Sequence, residues 1–221
     1  MDELKYLRLR QKFGDFSSWA IWNYEDEADP TIIESHIGEL NAKHVFVAYN
    51  ASRKEGYVGH GPWANFRGWK HDRKLKYACN DTALRGSYLT DIFKGIEEAN
   101  SGKVRDLLTD DVVNKNVSCF LEEISDIATT EKTVYVVLGV YFSEIGKQFR
   151  KHFLDQMGDV NVIYYTHYSN FRLTDKEWVT GLWKELGIKA NYEMIHQKYK
   201  NAFTVKKKRS TQLVLSDFKK N

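Results

Sequence analysis

Only two prolines and two cysteines occur in 221 residues, and neither scarcity is neutral. With 42% hydrophobic and 29% charged residues, a chain so poor in proline has the composition of an ordered globular protein rather than a disordered one. Cys79 and Cys119 lie far apart, with no second thiol near either. That spacing excludes a cysteine-based zinc site, argues against a disulfide framework and makes a reducing compartment the expectation. No apolar run approaches the ~20 residues that a membrane span needs. The opening MDELKYLRLR is charged throughout, unlike a secretory signal. A cytoplasmic protein with no membrane contact is expected.

Several binding and catalytic signatures are missing as well. There is no G-x-x-x-x-G-K-[ST], no G-x-G-x-x-G after the first strand and no G-x-S-x-G. The standard phosphate loop, the dinucleotide fold and the hydrolase elbow are thereby disfavoured. His60 and His71 stand without partners at ligand spacing, so no metal and no cofactor are expected. A net charge of +3 permits phosphate contact without demanding it.

Aromatic residues are abundant at 14%, with six Trp and thirteen Tyr. They build cores, and they also stack on bases. Short runs of β-branched and aromatic residues predict strands buried on both faces. Val45 to Tyr49, Tyr88 to Phe93, Thr133 to Val140 and Val160 to Thr166 are such runs. Helical spacing is predicted for residues 2–13 (from Leu4 and Leu7), 30–40, 101–129, 142–154 and 174–186, with Ser17 or Ser18 as a cap. Thr211 to Leu215 suggests an edge strand. Strands alternating with helices imply a mostly parallel sheet between helical layers. One domain is expected, with a helical arm at 1–40, a core at 41–190 and an extension at 191–221 that carries the basic run Lys206 to Arg209.

Two of the apolar runs end abruptly in small polar residues. Val45-Phe46-Val47-Ala48 passes into Tyr49-Asn50, and Val162-Ile163-Tyr164-Tyr165 passes into Thr166-His167-Tyr168-Ser169. In open parallel sheets, ligands bind beyond the carboxyl ends of the strands, so Asn50 and His167 become candidate site residues. Between them lies a long irregular segment, 51–72, of the kind that usually carries function. It holds Trp63, Asn65, Phe66, Arg67 and Lys70.

In this order and spacing the chain resembles the uracil-DNA glycosylase superfamily over about residues 40–190. Val45 to Asn50 is similar to that family's first motif, with Asn50 at its Asp/Asn position, as in the branches that carry Asn. Val162 to Ser169 is similar to its second, His-x-Ser-type motif. Ala51 and Tyr168 stand where proline is common in the family, and Gly86 and Ser87 lie nearest to its base-reading Asn. The resemblance implies a three-layer α/β/α sandwich around a central, mostly parallel four-stranded sheet. It implies a DNA glycosylase-like hydrolase acting on duplex or single-stranded DNA, with a flipped, modified or deaminated base as substrate. Asn50 and His167 would be catalytic, and Tyr49, Trp63, Asn65, Phe66, Ser87 and Ser169 would line the base pocket. Arg67, Lys70, Phe171 and Arg172 would meet the nucleic acid, with the last two as a wedge in the vacated stack. Two alternatives stand beside this reading: a nucleic-acid-binding protein that keeps the scaffold without catalysis, and an enzyme of free nucleosides or nucleotides.

Overall fold

The computed structural model describes residues 1–50, 61–67, 72–96, 98, 101–139 and 157–202. Five strands form one sheet: β1 (Ser17–Trp19), β2 (His44–Asn50), β3 (Tyr88–Phe93), β4 (Val134–Leu138) and β5 (Asn161–Tyr165). Their order across the sheet is β1-β3-β2-β4-β5. β2, β3, β4 and β5 run parallel, and β1 closes the β3 edge in antiparallel register. The four parallel strands are the four apolar runs of the sequence. β1 carries only three residues, Ser-Ser-Trp, too short and too polar for any periodicity to announce it. The helix expected over 142–154 and the strand at 211–215 lie outside the described residues.

Alternation along the strands divides the core in two. Val45, Val47, Tyr88, Tyr135 and Val137 face one apolar cluster. Phe46, Ala48, Leu89, Val136 and Leu138 face the other. The first cluster is covered by α1 (Glu3–Phe13) and α4 (Asp110–Asp126). The second is covered by α2 (Arg73–Cys79), by a helix at Asp175–Glu185 (here α5) and by one at 192–202 (α6). Helices on both faces make this a mixed α/β architecture. Residues 1–40 supply a strand and core side chains that include Tyr6, Leu9 and Phe13 of α1 together with Trp19, Ile21, Ile33 and Leu40, so they are built into the domain rather than appended to it. Leu4 and Leu7, expected on the buried stripe of α1, are exposed. Tyr6, Leu9 and Phe13 at spacings of three and four make the buried face instead.

Other local expectations change for identifiable reasons. The stretch read as one helix over 101–129 divides into α3 (Ser101–Leu107) and α4. The Thr109 side chain accepts from the Val112 amide and caps α4, as Thr does at an N-cap. Residues 31–39 wind as 3₁₀ turns rather than an α-helix. Ser17 and Ser18 do not cap a helix. Their hydroxyls donate to the carbonyls of Phe13 and Trp63, at 2.6 and 2.8 Å.

A buried polar knot ties the sheet to α4. Glu123 is fully buried, and Lys94 Nζ lies 2.7 Å from its carboxylate. The Tyr88 hydroxyl donates to Glu123 at 2.7 Å and the Thr90 hydroxyl at 2.9 Å. Removing one member of a buried pair strands the other charge, at a cost of about 3–5 kcal/mol, whereas replacing both by apolar groups is often neutral. Lys94→Met should therefore lower unfolding stability by about that amount in urea titrations. Lys94→Met combined with Glu123→Leu should recover most of the loss.

His44, which opens β2, gives a second test. Burial pushes its imidazole below the ordinary value of 6.5, and Lys43 adds to the shift. The unfolded chain then binds a proton that the folded chain resists, so stability falls as pH drops below about 6.5. The melting temperature followed between pH 7 and pH 5 should decline less steeply in His44→Gln than in the parent.

Candidate functional site at the carboxyl edge of the sheet

Because β2 to β5 are parallel, their carboxyl ends share one edge. Asn50 closes β2, Gly139 follows β4, and Thr166-His167 follows β5. β2 and β5 are separated by β4 alone, so two strand spacings of about 4.8 Å put their exits roughly 10 Å apart. The order of the parallel strands reverses direction between β2 and β4, and the crevice at such a reversal is where α/β sheets bind ligands.

The loop after β5 is held from several sides. Lys74 of α2 is buried, and its ammonium donates to the carbonyls of Asn170 (2.7 Å) and Leu173 (2.9 Å). The Trp178 indole donates to Thr166 O at 2.7 Å, and the Asn170 amide to His167 O at 3.0 Å. Arg73 pairs with Asp175 at 2.6 Å, which joins α2 to the first turn of α5. Thr174 and Glu177 complete a capping box where α5 begins, satisfying the first orphan amides of that helix.

His167 is fixed within this loop. The Ser169 backbone amide donates to its Nδ1 at 3.2 Å, and the Ser169 hydroxyl lies 2.7 Å from the same nitrogen. An amide N–H only donates, so Nδ1 is the acceptor and the neutral ring carries its proton on Nε2. Tyr168 stacks on the imidazole at 4.2 Å between centroids. Gly139 makes room beneath: its φ is +81°, and a Cβ there would stand 2.7 Å from the His167 Cβ.

The Asn50 side-chain amide nitrogen is tied to backbone. Nδ2 donates to the carbonyls of Ile96 (3.0 Å) and Glu98 (2.8 Å), which latches the segment after β3 onto the end of β2. Both amide hydrogens are committed to backbone.

One residue at this edge carries no signal in the sequence. Asp91 lies on β3 in register with Ala48, two positions before the strand ends, and is 2% exposed. Its Oδ2 accepts from Asn65 Nδ2 at 2.7 Å, and Asn65 Nδ2 also donates to Phe16 O at 2.8 Å. Phe66, beside Asn65, stands 6.3 Å from the Tyr168 ring. Burial and the carboxylates of Asp72 and Asp91 push the Tyr168 phenol well above its ordinary range. Asp91, Asn65, Phe66, Tyr168 and His167 thus form one connected cluster. Asp91 was hidden by its setting, a single acid inside a strand-like run.

Comparison with protein-family models, curated proteins and solved structures gives no match to this chain. The site is therefore read from its own geometry. Among the described residues no group of three or more His, Cys, Asp or Glu is placed to hold a metal ion, and no helix is long and apolar enough to cross a membrane.

The remaining expected site residues fall in different places. Trp63 is core: it is 1% exposed and donates from its indole to Tyr6 Oη at 3.2 Å, so it offers no stacking face. Arg67 is 2% exposed and is not a phosphate contact. Its guanidinium donates to the carbonyls of Trp19 (3.0 Å), Ile21 (2.6 Å), Asp29 (3.3 Å) and Trp63 (3.1 Å). Burial draws it down to about 10, against the pull of Asp29, and it stays charged at neutral pH. Ser87 precedes β3, at the amino edge of the sheet, away from Asn50 and His167. Gly86 beside it has φ +77° and presses on the Glu39 carbonyl, where a Cβ would meet oxygen at 2.1 Å. Neither can read a base at the other edge. Tyr49 faces the first core cluster, edge-on to Phe93 at 5.0 Å. Phe171 and Arg172 are exposed on the loop that holds His167, and Lys70 lies outside the described residues.

Substitution at Gly139 tests the support of His167. Gly139→Ala combines a left-handed backbone with a clash against the His167 Cβ. It should displace the imidazole and remove the Nε2–H tautomer signature from long-range ¹⁵N–¹H spectra, with a stability loss of about 1–3 kcal/mol.

Proposed function

We propose that this chain is a glycosylase-like hydrolase that breaks the N-glycosidic bond of a flipped, modified or deaminated base in DNA. One observation carries the reading: the His167 imidazole, whose Nδ1 accepts from the Ser169 amide, is clamped at the carboxyl edge of a parallel sheet, with a single strand between it and the exit that bears Asn50. In such a reaction the C1′–N bond breaks, water oxygen bonds C1′, and the base departs as an anion that takes up the proton that water releases. Nε2–H is a donor suited to the oxygen or nitrogen on which that negative charge grows. Phe66, like Trp63, is buried in the core, so neither offers a free stacking face. Orienting water falls to the Asn50 carbonyl oxygen, since the amide hydrogens hold the segment after β3.

Phe171, 85% exposed, and Arg172 project from the His167 loop, where an apolar or long cationic side chain fills the space left by an extruded base. Duplex recognition rests on this loop more than on the 67–76 cluster, whose Arg67, Lys74 and Lys76 are buried. The Asn50 hydrogen bonds to backbone favour a second reading, a DNA-binding protein on this scaffold without hydrolysis. Oligonucleotides that each carry one altered base, followed by alkaline cleavage at abasic sites, separate the two. The parent should release at least one base, and His167→Ala should lower that rate about 10²–10³-fold. Binding without release from any member of the panel selects the second reading.

A further inference from the structure

We propose that Lys74 is the positioning residue of the duplex wedge: its buried ammonium fixes the turn from which Phe171 and Arg172 project. The inference rests on the DNA reading of the His167 loop and names what makes that loop select a duplex.

Phe171 is 85% exposed, and Arg172 is exposed beside it. Such side chains take their direction from the backbone beneath them, because little packing holds them. Three ties set that backbone. The Asn170 amide donates to His167 O at 3.0 Å and closes a turn. Asn170 Oδ1 accepts from the Arg172 amide at 2.8 Å, an Asx-turn across Phe171. Lys74 Nζ donates to Asn170 O at 2.7 Å and to Leu173 O at 2.9 Å. Those two carbonyls stand on either side of Phe171-Arg172, so one point on α2 draws together both ends of the segment that carries the wedge.

Of the three ties, the first two lie within the loop, and Lys74 alone refers the turn to the body of the domain. The lysine is 2% exposed, on a helix whose Leu75, Ala78 and Cys79 belong to the second core cluster. Its ammonium has three hydrogens to donate and no lone pair, which suits a pair of carbonyls. Ordering the turn during folding removes a cost that association would otherwise bear. A vacated stack exists only in a duplex, so a preordered wedge aids duplex binding and adds nothing on a single strand.

Anisotropy titrations of the full chain with a duplex bearing one abasic site, and with the same strand unpaired, test this role. The abasic site presents an empty stack and needs no hydrolysis. The parent should prefer the duplex. Lys74→Met keeps a long apolar stem and removes every donor; it should lower duplex affinity about tenfold and leave single-strand affinity unchanged. Phe171→Ala with Arg172→Ala should do the same. All three substitutions together should cost no more than either set, because the lysine acts through the wedge. Losses that add, or that fall equally on both DNA forms, reduce Lys74 to a structural residue and overturn the inference while leaving the DNA reading intact. A parent that binds both forms equally does likewise. A parent that binds neither form overturns the DNA reading and the wedge together. If Lys74→Met fails to fold, the parent alone decides: scalar couplings from Lys74 Nζ to the carbonyl carbons of Asn170 and Leu173 should persist in the duplex complex. Their disappearance on binding overturns the inference.

Discussion

Burial of the parallel strands on both faces is the constraint from which the rest follows. β2 places Val45 and Val47 in one apolar cluster and Phe46 and Ala48 in the other, so neither face can be left to water. Two helical layers are thereby required, and the crossovers between parallel strands supply them. The same constraint decides where polar side chains can sit. Those inside the sheet must be matched, as Glu123 is by Lys94, Tyr88 and Thr90. The carboxyl edge is the place where polar groups such as Asn50, Asp91 and His167 gather.

Basic residues illustrate how far burial can redirect a charge. Arg67, Lys74 and Lys76 belong to a cationic cluster in sequence, which reads as a solvated face or a phosphate contact. All three are buried. Arg67 binds four backbone carbonyls between Trp19 and Trp63, joining β1, the segment that follows it and the aromatic loop. Its planar, forked donors suit that task, which a lysine would fill poorly. Lys74 does the same on a smaller scale for the His167 loop. These cations are spent on holding the interior together, and Lys74 among them anchors the His167 loop.

The His167 loop unites packing with chemistry. Its floor is the glycine that ends β4, its flank is α2 through Lys74, and its exit is the capping box of α5. Each support comes from a different part of the chain, so the imidazole is held by the fold as a whole. Preorganisation of that kind is what the proposed donor role of His167 requires.

The sequence by itself determined the parallel strands and the residues at their exits. Four apolar runs without polar alternation can only be strands covered on both sides, and their abrupt ends in Asn50 and His167 mark an edge. The helix over Asp175–Glu185 was legible too, from the spacing of Trp178, Leu182 and Trp183. β1, α2 and the buried acid at Asp91 were not. β1 exists because β3 offers an open edge, α2 is a seven-residue helix with three basic residues in its first four, and Asp91 is one acid inside a mostly apolar run. The fates of Trp63 and Arg67 were equally beyond reach, since an aromatic and a cation in a loop suit a ligand or a core alike. Only the tertiary structure decided between them, because burial depends on what the rest of the chain brings to the same place.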